Sequence, residues 1–362
     1  MARPRPEDLI DLARYPLHEP EDAGARALVR AAKGRLGEDG ALVLPGFVTR
    51  GAVAVLVREA EALLPQAYYC TKDHNPYLVA DDPDLPATHP RNRAQVSDKG
   101  CIAHDLFAED SALRALYDWP PLRAFIAAVQ GVERLYPYAD PLASLNLNVF
   151  REGQQLGWHF DNADFATTLM LRPAAAGGLY EYAPGLRTAE DANYDAVARV
   201  LDGARAGVRV LDMDPGALVL FRGRYALHRV TPVEGTRPRL LAVLSYDPEP
   251  GKTLTEHTRA LFYGRVAWAW GAAASQSEKP PSQGLETPLF QPVVPGLHSI
   301  ADICAGSSAL FLVDPMRSFL GVYLIPWWGG NQRPKKVSSS PPNCKEMSPS
   351  PFFIPRFCQT TK

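Results

Sequence analysis

The sequence predicts an α+β protein in which a jelly-roll β-barrel follows a helical N-terminal region. Three observations lead to this prediction. The first third has an amphipathic helical pattern, short strands separated by turns begin near residue 142, and proline- and serine-rich sequence begins near residue 265. A chain of 362 residues is long enough for one β-rich domain with additional helices.

Residues 1–140 are predicted to form a helical region that supports the barrel. Six apolar side chains between positions 53 and 64 recur with the spacing of one helix face, with Thr49 as the N-cap and Pro65 as the stop. The other elements predicted here are a strand over 40–47 and helices over 111–117 and 121–130, the last ended by Gly131. The polar stretch 71–100 is predicted to be a long loop near a binding site.

Residues 141–265 are predicted to form the barrel. The strand-like segments are 144–150, 166–172, 179–183, 207–213, 217–221, 225–233 and 239–247. Glycine and proline turns separate most of them, and a charged helical insertion over 187–205 interrupts them. Several short strands at this spacing are typical of a sandwich or a jelly roll.

Residues 266–362 differ from the rest of the chain. They contain 13 of the 34 prolines and basic, serine-rich pieces, and no strand or helix period continues into them. This composition predicts a disordered tail.

Charge and cysteine content exclude several classes of protein. A net charge of −2 gives no electrostatic basis for binding nucleic acid or an anionic membrane. Five scattered cysteines without a C-x-x-C pair favour neither a disulfide scaffold nor a structural zinc site, which suggests a reducing, cytoplasmic setting. The N-terminus lacks the apolar core of a secretion signal, and no uninterrupted apolar span is present. The sequence does not determine the oligomeric state.

Three residues have the pattern of a metal site. His159 and Asp161 are two residues apart, so on a strand both side chains leave the same face. His228 follows 69 residues later on a later predicted strand. Two imidazoles and one carboxylate on one face of a metal leave three positions open, which suits non-haem iron(II). These three residues are therefore the predicted iron ligands and the catalytic centre.

A pair of arginines follows the last of these ligands. Arg237 and Arg239 lie nine and eleven residues past His228, on one face of the next predicted strand. The far carboxylate of 2-oxoglutarate calls for a fork-shaped cation, and arginine binds carboxylates bidentately. Arg239 is preferred because it opens the apolar run LLAVLSY, but parity alone does not choose between the two.

The pattern H-x-D … H-R-V-T-P-V-x-G-x-R resembles the prolyl-hydroxylase-like branch of the iron(II) and 2-oxoglutarate-dependent oxygenases. The segments LNLNVFREGQQLGWHFDNADFATTLML, GGLYEYAPGLR and TRALFYGR resemble more narrowly the group of free-amino-acid halogenases and hydroxylases. The resemblance covers about residues 8–265. It implies a double-stranded β-helix, a cupin-like barrel, with iron(II), 2-oxoglutarate and O2 as cofactor and cosubstrates.

The resemblance also implies an activity. In the halogenating relatives a glycine replaces the carboxylate ligand and leaves room for chloride, whereas this chain has Asp161. We therefore expect hydroxylation of a small molecule, with free amino acids among the candidates, and release of succinate and CO2. Asn148 is expected to contact the cosubstrate. Arg93 (or its neighbour Arg91), Asn162 and Tyr246 are candidate substrate residues.

Three alternatives remain open from sequence. A peptidyl hydroxylase of the prolyl type would need the 71–100 loop to open into a groove. A non-catalytic metal-binding barrel would not need the arginines. A zinc hydrolase can use two histidines and a carboxylate, but it would need a general base near them.

Overall fold

The computed structural model describes residues 3–267. In this part of the chain the α-helices are α1 (Ala23–Asp39), α2 (Arg50–Leu63), α3 (Ala112–Asp118), α4 (Pro120–Gln130), α5 (Tyr194–Leu201) and α6 (Glu256–Tyr263). Short 3-10 turns cover Pro6–Asp8, Leu64–Gln66 and His104–Leu106. Almost all of the tail predicted over 266–362 lies outside the described residues, and its disorder stays a prediction.

The same residues form fifteen strands. The strands are β1 (Ala41–Leu44), β2 (Tyr68–Thr71), β3 (Ser97–Ile102), β4 (Tyr136–Pro137), β5 (Leu145–Phe150), β6 (Gln155–His159), β7 (Ala166–Arg172), β8 (Ala176–Gly177), β9 (Tyr180–Ala183), β10 (Arg209–Leu211), β11 (Leu218–Phe221), β12 (Leu227–Val230), β13 (Val233–Glu234), β14 (Arg239–Leu244) and β15 (Tyr246–Asp247). The predicted barrel strands are confirmed to within a few residues at their ends.

The predicted helix ends are also confirmed. The Thr49 side chain accepts a hydrogen bond from the backbone N–H of Ala52 at the start of α2. That helix stops at Leu63, where a short turn containing Pro65 follows. At the end of α4, Gly131 adopts the left-handed conformation with φ of 78°, which favours glycine at a helix C-terminus.

The order of strands identifies the barrel. Its eight strands are β5, β6, β7, β9, β10, β11, β12 and β14. One half of the sheet runs β11-β7-β14-β5 and the other β6-β12-β9-β10, all antiparallel. In chain order these are the sixth, third, eighth and first strands, and the second, seventh, fourth and fifth. This is the connectivity of a jelly roll, so the predicted double-stranded β-helix is confirmed.

The two halves of the barrel pack face to face. Met170, Phe221 and Leu241 from the first half form one buried cluster with Tyr182 from the second. The outer face of the first half is covered by α1–α4 in the largest apolar cluster, and α5 covers the outer face of the second. Alternation along each strand therefore divides side chains between the barrel interior and the helical layer.

The N-terminal region does more than supply helices. Its strand β1 extends the barrel by pairing with β11, and β3 pairs with both β5 and β6, so that it joins the two halves at one edge. The boundary predicted at residue 140 is therefore not a boundary of the sheet. Among residues 3–267, no helix is long and apolar enough to cross a membrane.

Candidate metal centre

The strand β6 and its neighbour β12 bring the three predicted ligands together. His159 pairs in register with His228, and their ring centroids are 4.1 Å apart. The Oδ1 atom of Asp161 lies 3.7 Å from Nε2 of His159 and 3.6 Å from Nε2 of His228. Within residues 3–267 this is the only group of three histidine, cysteine or acidic side chains close enough to hold a metal ion.

The prediction that both residues of the H-x-D motif lie on a strand is wrong in one detail. The strand ends at His159, and Asp161 belongs to the following loop. The backbone N–H of Asp161 donates to the carbonyl of Gly223, at 3.0 Å, which holds the loop against the turn before β12. The two side chains still converge, as their spacing predicted.

Both imidazoles are oriented by the backbone. With the proton on Nδ1, His159 donates to the carbonyl of Gly157 at 2.8 Å and His228 donates to that of Ala226 at 2.9 Å. Each Nε2 lone pair is then free for a metal, because hydrogen bonding of the other ring nitrogen fixes the tautomer. Burial, and then the neighbouring His228, lower the pKa of His159 well below its usual value, so this ring is neutral at pH 7.

The surroundings of Asp161 keep its carboxylate ionised and leave room for it. Burial alone would raise the pKa of Asp161, but the two imidazoles outweigh it and lower that pKa to about 2. A Cβ atom at Gly223 would lie only 1.8 Å from Oδ2 of Asp161. Glycine is therefore required opposite the carboxylate, a role that no local sequence pattern indicates.

Arg239 lies inside the barrel, with its Cζ 5.5 Å from the centroid of the Phe150 ring. It is 1% exposed, and within residues 3–267 neither terminal guanidinium nitrogen has a hydrogen-bond partner. Burial lowers the pKa of Arg239 to about 10, so it remains a cation at neutral pH. Gly178, with φ of 59°, leaves room for it, because a Cβ there would lie 3.2 Å from Cδ of the arginine. A buried cation without hydrogen-bond acceptors is costly, and a carboxylate ligand would supply them.

Arg237 is in a different environment. The strand begins only at Arg239, so the expectation that both arginines share a strand face is wrong. Arg237 lies in the preceding turn, is exposed, and donates to the carbonyl of Ala174 at 2.9 Å. Arg239 is buried and Arg237 is exposed, a difference that their spacing in the sequence does not predict.

Asn148 is buried on β5 and faces the same side of the sheet as Arg239. Its Oδ1 accepts hydrogen bonds from Nζ of Lys99 at 3.2 Å and from Sγ of Cys101 at 3.4 Å. Its Nδ2 group has no hydrogen-bond partner among the described residues, so it remains free to donate. The expected contact with the cosubstrate stays a prediction.

Tyr180 was not singled out from the sequence. Its ring stacks on His228 with centroids 5.5 Å apart, and it packs edge-on against Phe221 at 5.2 Å. Burial, and then the nearby carboxylate of Asp161, raise the pKa of Tyr180 well above its usual value. The alternation in LYEYA places this residue inside the barrel, but a strand tyrosine ordinarily indicates packing alone.

The candidate substrate residues fall in two places. Asn162 and Tyr246 line a cleft of about 170 Å³ together with Asp161. The Tyr246 hydroxyl donates to the carbonyl of Tyr117, so Tyr246 contributes shape to this cleft more than a free polar group. Arg93 instead forms an ion pair of 2.5 Å with Asp202. To bind a substrate it would have to give up this pair, and its role stays a prediction.

Comparison with known proteins gives one family match. The family model described as Halogenase D (HalD) matches residues 25–260, which is 236 of the 362 residues. No curated protein matches the chain.

Several solved structures are distantly similar. An oxidoreductase of the 2OG-Fe(II) oxygenase family from Burkholderia pseudomallei is 15% identical, over 62% of this chain and 92% of its own, with a TM-score of 0.40. A Trichoplax adhaerens prolyl hydroxylase in complex with a peptide fragment is 14% identical, over 61% and 89%, with a TM-score of 0.41. A Phytophthora capsici prolyl 4-hydroxylase is 16% identical, over 74% and 75%, with a TM-score of 0.41.

Two imidazoles and a carboxylate converge within a jelly-roll barrel, in a donor set that suits iron(II). The chain belongs to the halogenase D family, whose model matches residues 25–260.

Proposed function

We propose that this oxygenase hydroxylates a small molecule, with free amino acids as the first candidates. One observation carries the proposal: the cluster of His159, Asp161 and His228 lies in the same barrel as a buried Arg239 whose terminal nitrogens have no hydrogen-bond partner within residues 3–267. The triad supplies three metal ligands, and the arginine supplies the cation that a dicarboxylate cosubstrate needs at its far end.

The residues fit iron(II) and 2-oxoglutarate chemically. His159 and His228 would each offer Nε2, Asp161 would offer a carboxylate oxygen, and Arg239 would bind the far carboxylate. Iron bound here supplies the oxidising chemistry, in which 2-oxoglutarate and O2 yield succinate, CO2 and a hydroxylated substrate. The protein itself orients these groups and excludes water, and no protein acid or base is required.

The proposed outcome is hydroxylation, although the family is described as halogenases. The resemblance implies that halogenating members have glycine where this chain has Asp161. Here the carboxylate is ionised, lies 3.6–3.7 Å from both Nε2 atoms, and faces a glycine that makes room for it. An anionic ligand already occupies the position that a chloride would take, so we expect no halide to bind.

The interior also favours an acidic small molecule. Lys99 lies on β3, and its ammonium group donates to Oδ1 of Asn148 at 3.2 Å and lies 5.4 Å from the centroid of the Phe262 ring. Lysine has three donors and no acceptor, whereas a carboxylate has only acceptors. The hydrogen-bonding groups around Lys99 are therefore rich in donors, which suits the carboxylate of an amino acid.

A peptide substrate fits the loop over residues 72–96 less well. This loop is held at both the barrel and α5: Arg93 pairs with Asp202, and the backbone N–H of Phe160 donates to the carbonyl of Pro76 at 2.8 Å. A groove for a peptide would require these contacts to open. A zinc hydrolase would have no dicarboxylate cosubstrate for the buried Arg239 to bind.

The proposal is tested by product analysis. The protein is incubated with iron(II), 2-oxoglutarate, O2, chloride and each of the common free amino acids, and succinate and modified amino acids are measured by mass spectrometry. We expect at least one amino acid to increase succinate formation and to gain one oxygen atom, and we expect Asp161→Ala to abolish both. A chlorinated product, or succinate formation that no amino acid stimulates, would refute the proposed activity.

A further inference from the structure

The long loop before β3 contacts strand β6 directly beside a metal ligand. A Cβ atom at Gly157 would lie 2.7 Å from Cβ of Gln95 and 2.8 Å from the carbonyl oxygen of Val96. Only glycine lets the returning end of the loop approach this closely. The point of contact is two residues before His159.

A hydrogen-bonded chain connects this contact to the imidazole. The backbone N–H of Gly157 donates to Oγ of Ser97 at 3.0 Å, and the Gly157 carbonyl accepts from Nδ1–H of His159 at 2.8 Å. Backbone pairing between β3 and β6 ends at Ser97 and Leu156. The Ser97 hydroxyl therefore accepts the hydrogen bond of the Gly157 N–H in place of a backbone carbonyl on β3. Ser97 is buried, at 8% exposure.

His74 continues the chain into the start of the loop. Burial lowers the pKa of His74, and the neutral ring donates from Nδ1 to the carbonyl of Asn75 at 3.1 Å. Its Nε2 then accepts from the Ser97 hydroxyl at 2.6 Å. The His74 ring also lies edge-on to His159, with centroids 5.5 Å apart. Both ends of the loop therefore meet at one serine.

We propose that Ser97 and His74 are positioning residues that couple the 72–96 loop to the metal ligand His159. The inference rests on the proposed iron site, but it concerns residues that do not bind the metal themselves. Partners that orient a ligating histidine typically contribute 10- to 100-fold to metal affinity. Because coupling between two sites is reciprocal, metal binding should in turn hold the loop closed.

The test compares matched serine variants of the full-length protein. Ser97→Ala removes the hydroxyl, and Ser97→Thr retains it. Ser144→Ala is the control, because Ser144 is also buried and also bonds a histidine, His104, but neither residue is connected to the triad. Binding of iron(II), and of cobalt(II) as a spectroscopic probe, is titrated anaerobically, and proteolysis of the loop is timed with and without metal.

We expect Ser97→Ala to weaken metal binding by about 10- to 100-fold and to lose most of the protection that metal gives the loop. Ser97→Thr should restore both, and Ser144→Ala should change neither. Wild-type affinity in Ser97→Ala, or an equal loss in Ser144→Ala, would overturn the inference and leave the proposed function intact. If the wild-type protein binds no iron(II), the proposed function and this inference both fail.

Discussion

The lack of space between Gly223 and the Asp161 carboxylate allows a quantitative test with a single added methyl group. In Gly223→Ala the new Cβ would lie 1.8 Å from Oδ2, 2.5 Å from Cγ and 2.8 Å from Cβ of Asp161. Ordinary contact begins near 3.4 Å, so the carboxylate oxygen must retreat by about 1.6 Å. Rotation of the side chain alone does not relieve the clash, because the Cβ of the aspartate is also too close.

This displacement is large compared with the tolerance of a metal site, where ligand distances hold to about 0.2 Å. Loss of supporting contacts around a ligand costs about 10- to 100-fold in affinity. Displacement of a ligand itself should cost at least the upper value, about 2.8 kcal/mol of binding free energy. We therefore expect Gly223→Ala to weaken iron(II) binding by at least about 100-fold.

The assay is anaerobic iron(II) titration alongside thermal unfolding of the metal-free protein. Gly37→Ala is the matched control, because Gly37 lies in α1 with no atom within 4 Å of an added Cβ. The control should bind iron(II) like the wild-type protein. Wild-type affinity in a folded Gly223→Ala variant would show that the carboxylate does not need its observed position, and would refute the geometric argument.

Three further predictions concern the cosubstrate, acid stability and the support of α6. Arg239→Ala should weaken 2-oxoglutarate binding by about 100-fold, since hydrogen bonds to charged groups contribute about 1.5–3 kcal/mol each. In the same titration, Arg237→Ala should bind 2-oxoglutarate with nearly the wild-type affinity. The pKa values of half-buried His74 and buried His159 are lowered on folding, so the unfolded chain binds more protons than the folded chain. The unfolding free energy of the metal-free protein should therefore fall as the pH drops below about 6.5. A flat profile of melting temperature between pH 8 and 5 would contradict this. Asp140→Ala removes a buried carboxylate that pairs with an arginine of α6, and should lower the unfolding free energy in urea by about 3–5 kcal/mol.

Local sequence signals predicted much of the fold. Strand-like segments between turns located seven of the eight barrel strands, all except β6. The helix around residues 50–63 follows from its apolar period, its Thr49 cap and Pro65. The strands β2 and β3 were missed, because a segment such as SDKGCI has no alternation of its own. It becomes a strand by pairing with β5 and β6, about 45 to 60 residues away.

The candidate site, like the fold, was predictable only in part from local sequence. Residue chemistry and spacing predicted that His159, Asp161 and His228 lie together, because metal ligands are restricted to few residue types, and the structure brings these three residues together. The support around them depends on contacts between distant segments, as Gly223 with Asp161 and Ser97 with Gly157 illustrate. No local pattern marks such residues. The choice between Arg237 and Arg239 likewise depended on which side chain is buried, and their spacing in the sequence does not predict this.

The central claim is that one barrel holds iron(II) through the triad and 2-oxoglutarate through Arg239. The most direct measurement is anaerobic titration of the protein with iron(II) and then 2-oxoglutarate, following the weak visible charge-transfer band that forms when the keto acid chelates the metal. We predict that the band appears in the wild-type protein, disappears in Asp161→Ala, and requires much more 2-oxoglutarate in Arg239→Ala. Iron binding without the band in the wild-type protein would contradict the account.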